Sequence, residues 1–185
     1  ARTLEADGWR VVAGVNGDYY DTANGIALGS VMSDGVFRNI SGSYYALGFY
    51  DDGSAVMGKP DLRISAETDY DSFSISAMNY IRQTSFGIFM YCSVRRGALS
   101  IGGEMTLEVE NIVEGSVDTA VGRGQYVLSA NLNSGENYLN ALRALRVGDR
   151  ITVSVDANSS EWDGVTNLIG ALYQLVENGR VCSGL

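Results

Sequence analysis

Ser72-Phe73-Ser74-Ile75-Ser76-Ala77-Met78 alternates hydroxyl and apolar side chains. Successive side chains of an extended chain point to opposite faces, so Phe73, Ile75 and Ala77 share one face, as in a strand whose sheet is covered on one side. Working outward, residues 62–66 and the apolar run Gly87-Ile88-Phe89-Met90-Tyr91-Cys92 read as neighbouring strands, and residues 104–111 and 150–156 repeat the alternation. Ser33-Asp34-Gly35 and Asp51-Asp52-Gly53 are Asp-Gly hairpin signals. They join residues 26–32 to 35–37 and residues 44–50 to 54–57. Asn178-Gly179 makes a similar turn between residues 172–177 and 180–181. With 23 glycines against one proline, the sequence describes many short strands joined by tight turns.

Two helices are expected. Residues 1–6 read as a helix end closed by Gly8, followed by a buried strand over residues 9–15. Residues 138–145 read as a short amphipathic helix, with Asn137 as N-cap and Leu139, Leu142 and Leu145 along one side. The fold class is therefore α+β, a strand-dominated mixed sheet with few short helices. At 185 residues and 45% hydrophobic content, one domain over residues 1–185 is expected.

Composition removes several functions. A net charge of −9 opposes nucleic-acid binding, which relies on clustered Lys and Arg. The absence of histidine excludes serine–histidine and cysteine–histidine triads and histidine-bound zinc. Cys92 and Cys182 are too far apart for a zinc motif, and no metal site is expected; nor is an organic cofactor implied. Cys92, in an apolar run, reads as a buried thiol, with a single bridge to Cys182 as the alternative. No run approaches the roughly 18 apolar residues of a membrane helix. The chain begins without methionine, and a processed product is expected.

Val12-Ala13-Gly14-Val15-Asn16-Gly17-Asp18-Tyr19-Tyr20-Asp21 carries the strongest chemical signal: a buried strand runs straight into Asn-Gly-Asp with two aromatics behind it. Polar groups at a strand end beside a glycine make a ligand floor, although Asn-Gly is also ordinary turn chemistry. Asp18, Asp21 and Asn24 supply oxygens but lack the every-second-residue spacing of a calcium loop. Tyr19 and Tyr20 point to opposite faces, so one of them is expected in the core and the other free to stack on a sugar. Trp162 reads as a packing anchor, and Glu104, Glu108 and Glu110 as the solvated face of a strand.

Ala13 to Asp21 as quoted, followed by Gly29-Ser30-Val31-Met32-Ser33-Asp34-Gly35, resembles the opening of the phosphodiester glycosidase family. There a strand ends in Asn-Gly-Gly or Asn-Gly-Asp, and a glycine-led strand ending in Asp-Gly follows. Asn79-Tyr80-Ile81-Arg82, Gly124-Gln125-Tyr126-Val127-Leu128-Ser129-Ala130, Leu145-Arg146-Val147-Gly148-Asp149 and residues 162–181 are similar to later family landmarks, in family order. The chain departs from the family at Ile169-Gly170-Ala171-Leu172-Tyr173, where the family carries two or three glycines and a proline. That departure speaks against a close backbone approach to substrate there.

The resemblance implies cleavage of a sugar phosphodiester or a related glycan. Asn16 and Asp18 would be the catalytic hydrogen-bonding and acid–base groups. Gly17, Tyr20, Asn79 and Arg82 would bind substrate, with Arg82 clamping phosphate. It also implies a secreted or cell-envelope setting. An Arg-Thr strand and an Asp-Gly-Gly-Gly-Ser motif follow in the family, so a second chain or a C-terminal segment is expected to complete the fold. The competing reading is a non-catalytic carbohydrate-binding or structural domain on the same scaffold.

Overall fold

The computed structural model describes residues 17–42, 44–81, 86–93, 99–115, 120–171 and 173–182. The helix and strand expected over residues 1–15, together with Asn16, Arg82, Arg95 and Arg96, lie outside the described residues.

The first sheet contains β1 (Val31–Ser33), β2 (Val36–Asn39), β3 (Tyr45–Phe49), β4 (Ala55–Gly58) and β11 (Asn167–Ala171), in the order β2-β1-β11-β3-β4. The second contains β5 (Arg63–Glu67), β6 (Ser72–Met78), β7 (Ile88–Cys92), β8 (Glu104–Glu108), β9 (Tyr126–Ser129) and β10 (Arg150–Asp156), in the order β8-β10-β5-β6-β7-β9. Pairings are antiparallel except β6 with β7, which makes the second sheet mixed. β12 (Val176–Glu177) and β13 (Arg180–Val181) form a separate hairpin. The helix α1 spans Glu136–Ala144, and a single 3-10 turn spans Ser160–Trp162. This is the α+β, strand-dominated architecture that the alternating segments predict.

The alternation explains the packing. β6 turns Ile75 and Ala77 inward and leaves Ser72, Ser74 and Ser76 exposed. β10 buries Ile151, Val153 and Val155 in the same way, each side chain contributing about 1.5–3 kcal/mol by leaving water. In β7 the residues Ile88, Phe89 and Met90 are all buried, which fits a strand covered on both faces. Met32, Phe37, Ile40, Ala46 and Leu168 from the first sheet's strands and their edges join Ile75, Ile88, Met90, Ile151, Val153 and Val155 in one core. An antiparallel bridge between Ile40 and Met78 ties the end of β2 to the end of β6.

Turn chemistry sets the hairpins. Asp34 and Gly35 (φ 53° and 74°) link β1 to β2, and Asn178 and Gly179 (φ 48° and 75°) link β12 to β13. Consecutive positive φ values match the right-handed twist of the paired strands.

Several boundaries differ from the sequence reading. The strand expected over residues 26–32 is only Val31–Ser33; among the described residues, 27–30 are held by one isolated bridge at Ala27 and by the side chains of Asn39 and Ser41. The helix begins two residues early, capped by Gly135 (φ 95°) instead of Asn137. Its covered face is Tyr138, Ala141 and Leu142, continuing to Leu145, the i, i+3, i+4, i+7 stripe of a helix lying on a core. Residues 173–175 are not strand, whereas Asn167–Ala171, not read as a strand from the sequence, is the central strand of the first sheet. Trp162 is buried and anchors the 3-10 turn as expected.

Phe37 is fully buried between the sheets. Phe37→Ala should lower unfolding free energy by about 3–5 kcal/mol, read from urea unfolding; a loss below about 1 kcal/mol would contradict a shared core at this point.

Candidate functional site

Asp18 lies just beyond Gly17, where the chain runs over Ile169 of β11. Its backbone is left-handed (φ 56°), a conformation that Asp tolerates better than most residues because its short side chain bonds locally. The Tyr19 N–H donates to Oδ1 at 2.7 Å, and the Gly29 N–H donates to Oδ2 at 3.0 Å. Removal from water raises the Asp18 carboxyl above the usual aspartate range, against the pull of these two donors.

Two glycines shape the carboxylate's seat. A Cβ on Gly170 would lie 2.5 Å from Asp18 Oδ2 and 2.7 Å from the Gly29 Cα. A Cβ on Gly29 would lie 2.6 Å from the Gly170 Cα. Two backbones therefore meet directly beneath Asp18, and only glycine fits either position. The sequence departure at Gly170 argued against a close approach to substrate; the approach seen here is between parts of this chain.

The loop before Gly29 is tightly bonded. Leu28 N–H donates to the Tyr19 carbonyl at 2.8 Å, and Tyr20 bridges Ala27. Asp21 accepts from Ala23 N–H at 2.8 Å and from Asn24 Nδ2 at 3.1 Å, while Asn24 Oδ1 accepts from Ile26 N–H at 2.9 Å. These oxygens close a turn, and among the described residues no group of three acidic or cysteine side chains could hold a metal ion. Tyr19 and Tyr20 are both 61% exposed. The expectation that one of them is core is corrected: both lie on a small loop with their rings turned to solvent.

Asn79 follows β6 with φ 49°. Its Nδ2 donates to the Arg38 carbonyl at 2.8 Å and to Cys92 Sγ at 3.4 Å, and its Oδ1 accepts from Cys92 N–H at 2.8 Å. The amide is thus committed to fastening the β6–β7 link to β2 and β7. Its neighbour Tyr80 is partly buried; burial raises its hydroxyl pKa, and Tyr44, Asp21 and Asp18 add to the rise in that order. Tyr91 donates to the Tyr80 carbonyl at 3.0 Å. Asp18 therefore lies near enough to Tyr80 to act on its hydroxyl, as Asp21 and Tyr44 do, a grouping that the sequence reading did not make. Cys92 is buried and free, and burial pushes its thiol pKa up, away from nucleophile behaviour.

Gly29, Asn39, Ser41 and Gly170 were also missed. The available signal was Asn39-Ile40-Ser41, two polar residues flanking an apolar one at the end of a strand. Asn39 and Ser41 are 7% and 3% exposed.

No family model and no curated protein matches this sequence. Among solved structures, a hypothetical protein from Synechocystis is similar, with a TM-score of 0.61 and 19% identity, over 91% of this chain and 33% of that one. At that identity the likeness concerns the fold alone, and the chain spans about a third of that protein.

Gly170→Ala should destabilise by about 1–3 kcal/mol through forced displacement of Gly29 or Asp18. Gly42→Ala, where an added Cβ meets nothing within 4 Å, should stay within about 0.5 kcal/mol. Equal effects in thermal unfolding would count against the two-glycine seat.

Two carboxylates should show opposite pH slopes. The folded pKa of Asp18 is raised, so its contribution to stability is present below the unfolded value and lost as pH rises through the folded value. Asp149, lowered by bonds from the Tyr70 hydroxyl and the Arg146 N–H, contributes above its unfolded value and loses that contribution as pH falls. Between about pH 3 and pH 7, wild-type stability relative to Asp18→Asn should fall as pH rises, and relative to Asp149→Asn it should climb. Urea unfolding across that range checks both signs.

Proposed function

We propose that this chain supplies part of the site of a phosphodiester glycosidase-type hydrolase, with Asp18 exchanging a proton at a sugar–phosphate linkage. Breaking a glycosyl–phosphate bond develops positive charge on the sugar ring and negative charge on the departing phosphate. A carboxyl that holds its proton more tightly than usual suits acid–base work at such a linkage. The supporting observation is the seating of Asp18: partly desolvated, held by two main-chain N–H groups, and followed directly in the chain by the exposed rings of Tyr19 and Tyr20. Such rings offer flat apolar faces to a sugar.

In this reading Tyr20 is the sugar platform, Gly17 leaves room for the ring, and Asn79 maintains the link that carries Tyr80. Asn16 and Arg82 keep the roles that the family resemblance implies, Asn16 at the linkage and Arg82 on the phosphate. The reading includes completion by a second chain or a following segment, and a secreted or cell-envelope setting. The exposed Tyr173, Leu175, Val176 and Val181 around the last hairpin support such completion, since apolar surface of this kind favours being covered.

A second reading, a non-catalytic carbohydrate-binding or structural domain, is favoured by one feature. Both Asp18 oxygens already accept main-chain bonds, as they would in a carboxylate that merely closes a loop.

Release of free sugar from a sugar-1-phosphate diester separates the two. The hydrolase reading expects release, with Asp18→Asn lowering kcat by about 100-fold or more. Release unchanged in Asp18→Asn would remove Asp18 from the chemistry. Glycan binding without any release, abolished by Tyr20→Ala, would establish the binding-domain reading instead.

A further inference from the structure

Four buried polar residues occur among the described residues: Ser30, Asn39, Ser41 and Ser134. Three of them act on one four-residue segment. Asn39 Nδ2 donates to the Gly29 carbonyl at 2.7 Å and to the Ala27 carbonyl at 3.4 Å. The Ser41 hydroxyl donates to the Leu28 carbonyl. Ser30 and Ser41 close a reciprocal pair, with Ser30 Oγ donating to the Ser41 carbonyl and accepting from the Ser41 N–H, both at 3.1 Å. Burying polar groups is unfavourable unless they are bonded, so three such residues at one place mark a segment whose position is strongly specified.

The Leu28 carbonyl and the Gly29 N–H belong to the same peptide unit. Ser41 donates to its oxygen, and its N–H donates to Asp18 Oδ2. A hydrogen bond accepted by a peptide carbonyl polarises the unit and strengthens the bond that its N–H donates.

We propose that Ser41 is a positioning residue for Asp18, acting through the Leu28–Gly29 peptide, with Asn39 and Ser30 holding that peptide in place. Ser41 does not touch the carboxylate. It sets how strongly the Gly29 N–H favours the charged form, and where Oδ2 sits against Gly170. Among the described residues, Tyr80 feels the charges of Tyr44, Asp21 and Asp18, and the relay's own bonds run between Ser41, Ser30, Asn39 and the main chain of residues 27–30 and 41. A catalytic consequence rests on the proposed hydrolysis, whereas the relay itself is a property of the fold.

Carbon-13 NMR of the full chain reads the relay directly, with the Asp18 carboxyl resonance identified by its loss in Asp18→Asn. Ser41→Ala weakens the Gly29 donor, so the Asp18 midpoint should move up by about 0.3–0.5 of a pH unit. Ser41→Thr, which keeps the hydroxyl, should return it towards the wild-type value. If Ser41→Ala does not fold, Ser41→Cys retains the volume with a poor donor and should shift the midpoint in the same direction. In wild type the Gly29 amide proton should titrate with the Asp18 midpoint. A folded Ser41→Ala or Ser41→Cys protein with an unmoved midpoint overturns the relay, even if sugar release changes. A moved midpoint with no sugar release from any variant keeps the relay and removes the proposed reaction.

Discussion

The meeting of two backbones at Gly29 and Gly170 is the constraint on which this site depends. The start of the first sheet's β1 and the end of its central strand, β11, approach so closely that neither position has space for a Cβ. Asp18 closes over that contact, its carboxylate within bonding distance of one glycine and in van der Waals range of the other. With no side chain between them, the carboxylate is shielded from water by main chain, and its desolvation follows from that shielding. An apolar side chain at either glycine would replace the contact and displace the charge.

The polar residues behind this contact are not interchangeable with an apolar core. Ser30, Asn39 and Ser41 satisfy main-chain groups of a segment that, among the described residues, pairs at Ala27 with Tyr20 and at Val31 with β2. Where a ladder is absent, side chains must take its place, because unpaired main-chain groups in a buried position cost about as much as a lost hydrogen bond. The same logic governs Asn79, whose amide fastens the link between the parallel strands β6 and β7. Both devices converge on the corner that holds Asp18 and Tyr80, and both leave backbone in the left-handed region, at Asp18 and Asn79. Strain of this kind persists only where surrounding bonds over-determine it.

Much of the architecture was legible locally. The strands β6 and β10 are evident from alternation, and the hairpins at Asp34-Gly35 and Asn178-Gly179 from turn residues that accept positive φ. Trp162 as an anchor and the exposed glutamates of β8 follow from residue type and period. The start of α1 was misplaced because Gly135, at φ 95°, caps it without a side-chain bond, and that conformation has no compositional signature. β11 was missed because Asn167-Leu168-Ile169-Gly170-Ala171 has a weak alternation and a glycine that usually argues against a central strand.

What the sequence determined by itself is the class of fold and the presence of Asp18 in a glycine-flanked segment with two tyrosines. These depend on period, on turn propensity and on neighbours a few residues away. Tertiary structure decided which groups surround that carboxylate. Gly29 is 11 residues from Asp18 in the chain and Gly170 lies on a distant strand, while Ser41 acts through a peptide it does not adjoin. Contacts between residues so far apart are set by strand order and register, and no local pattern encodes them.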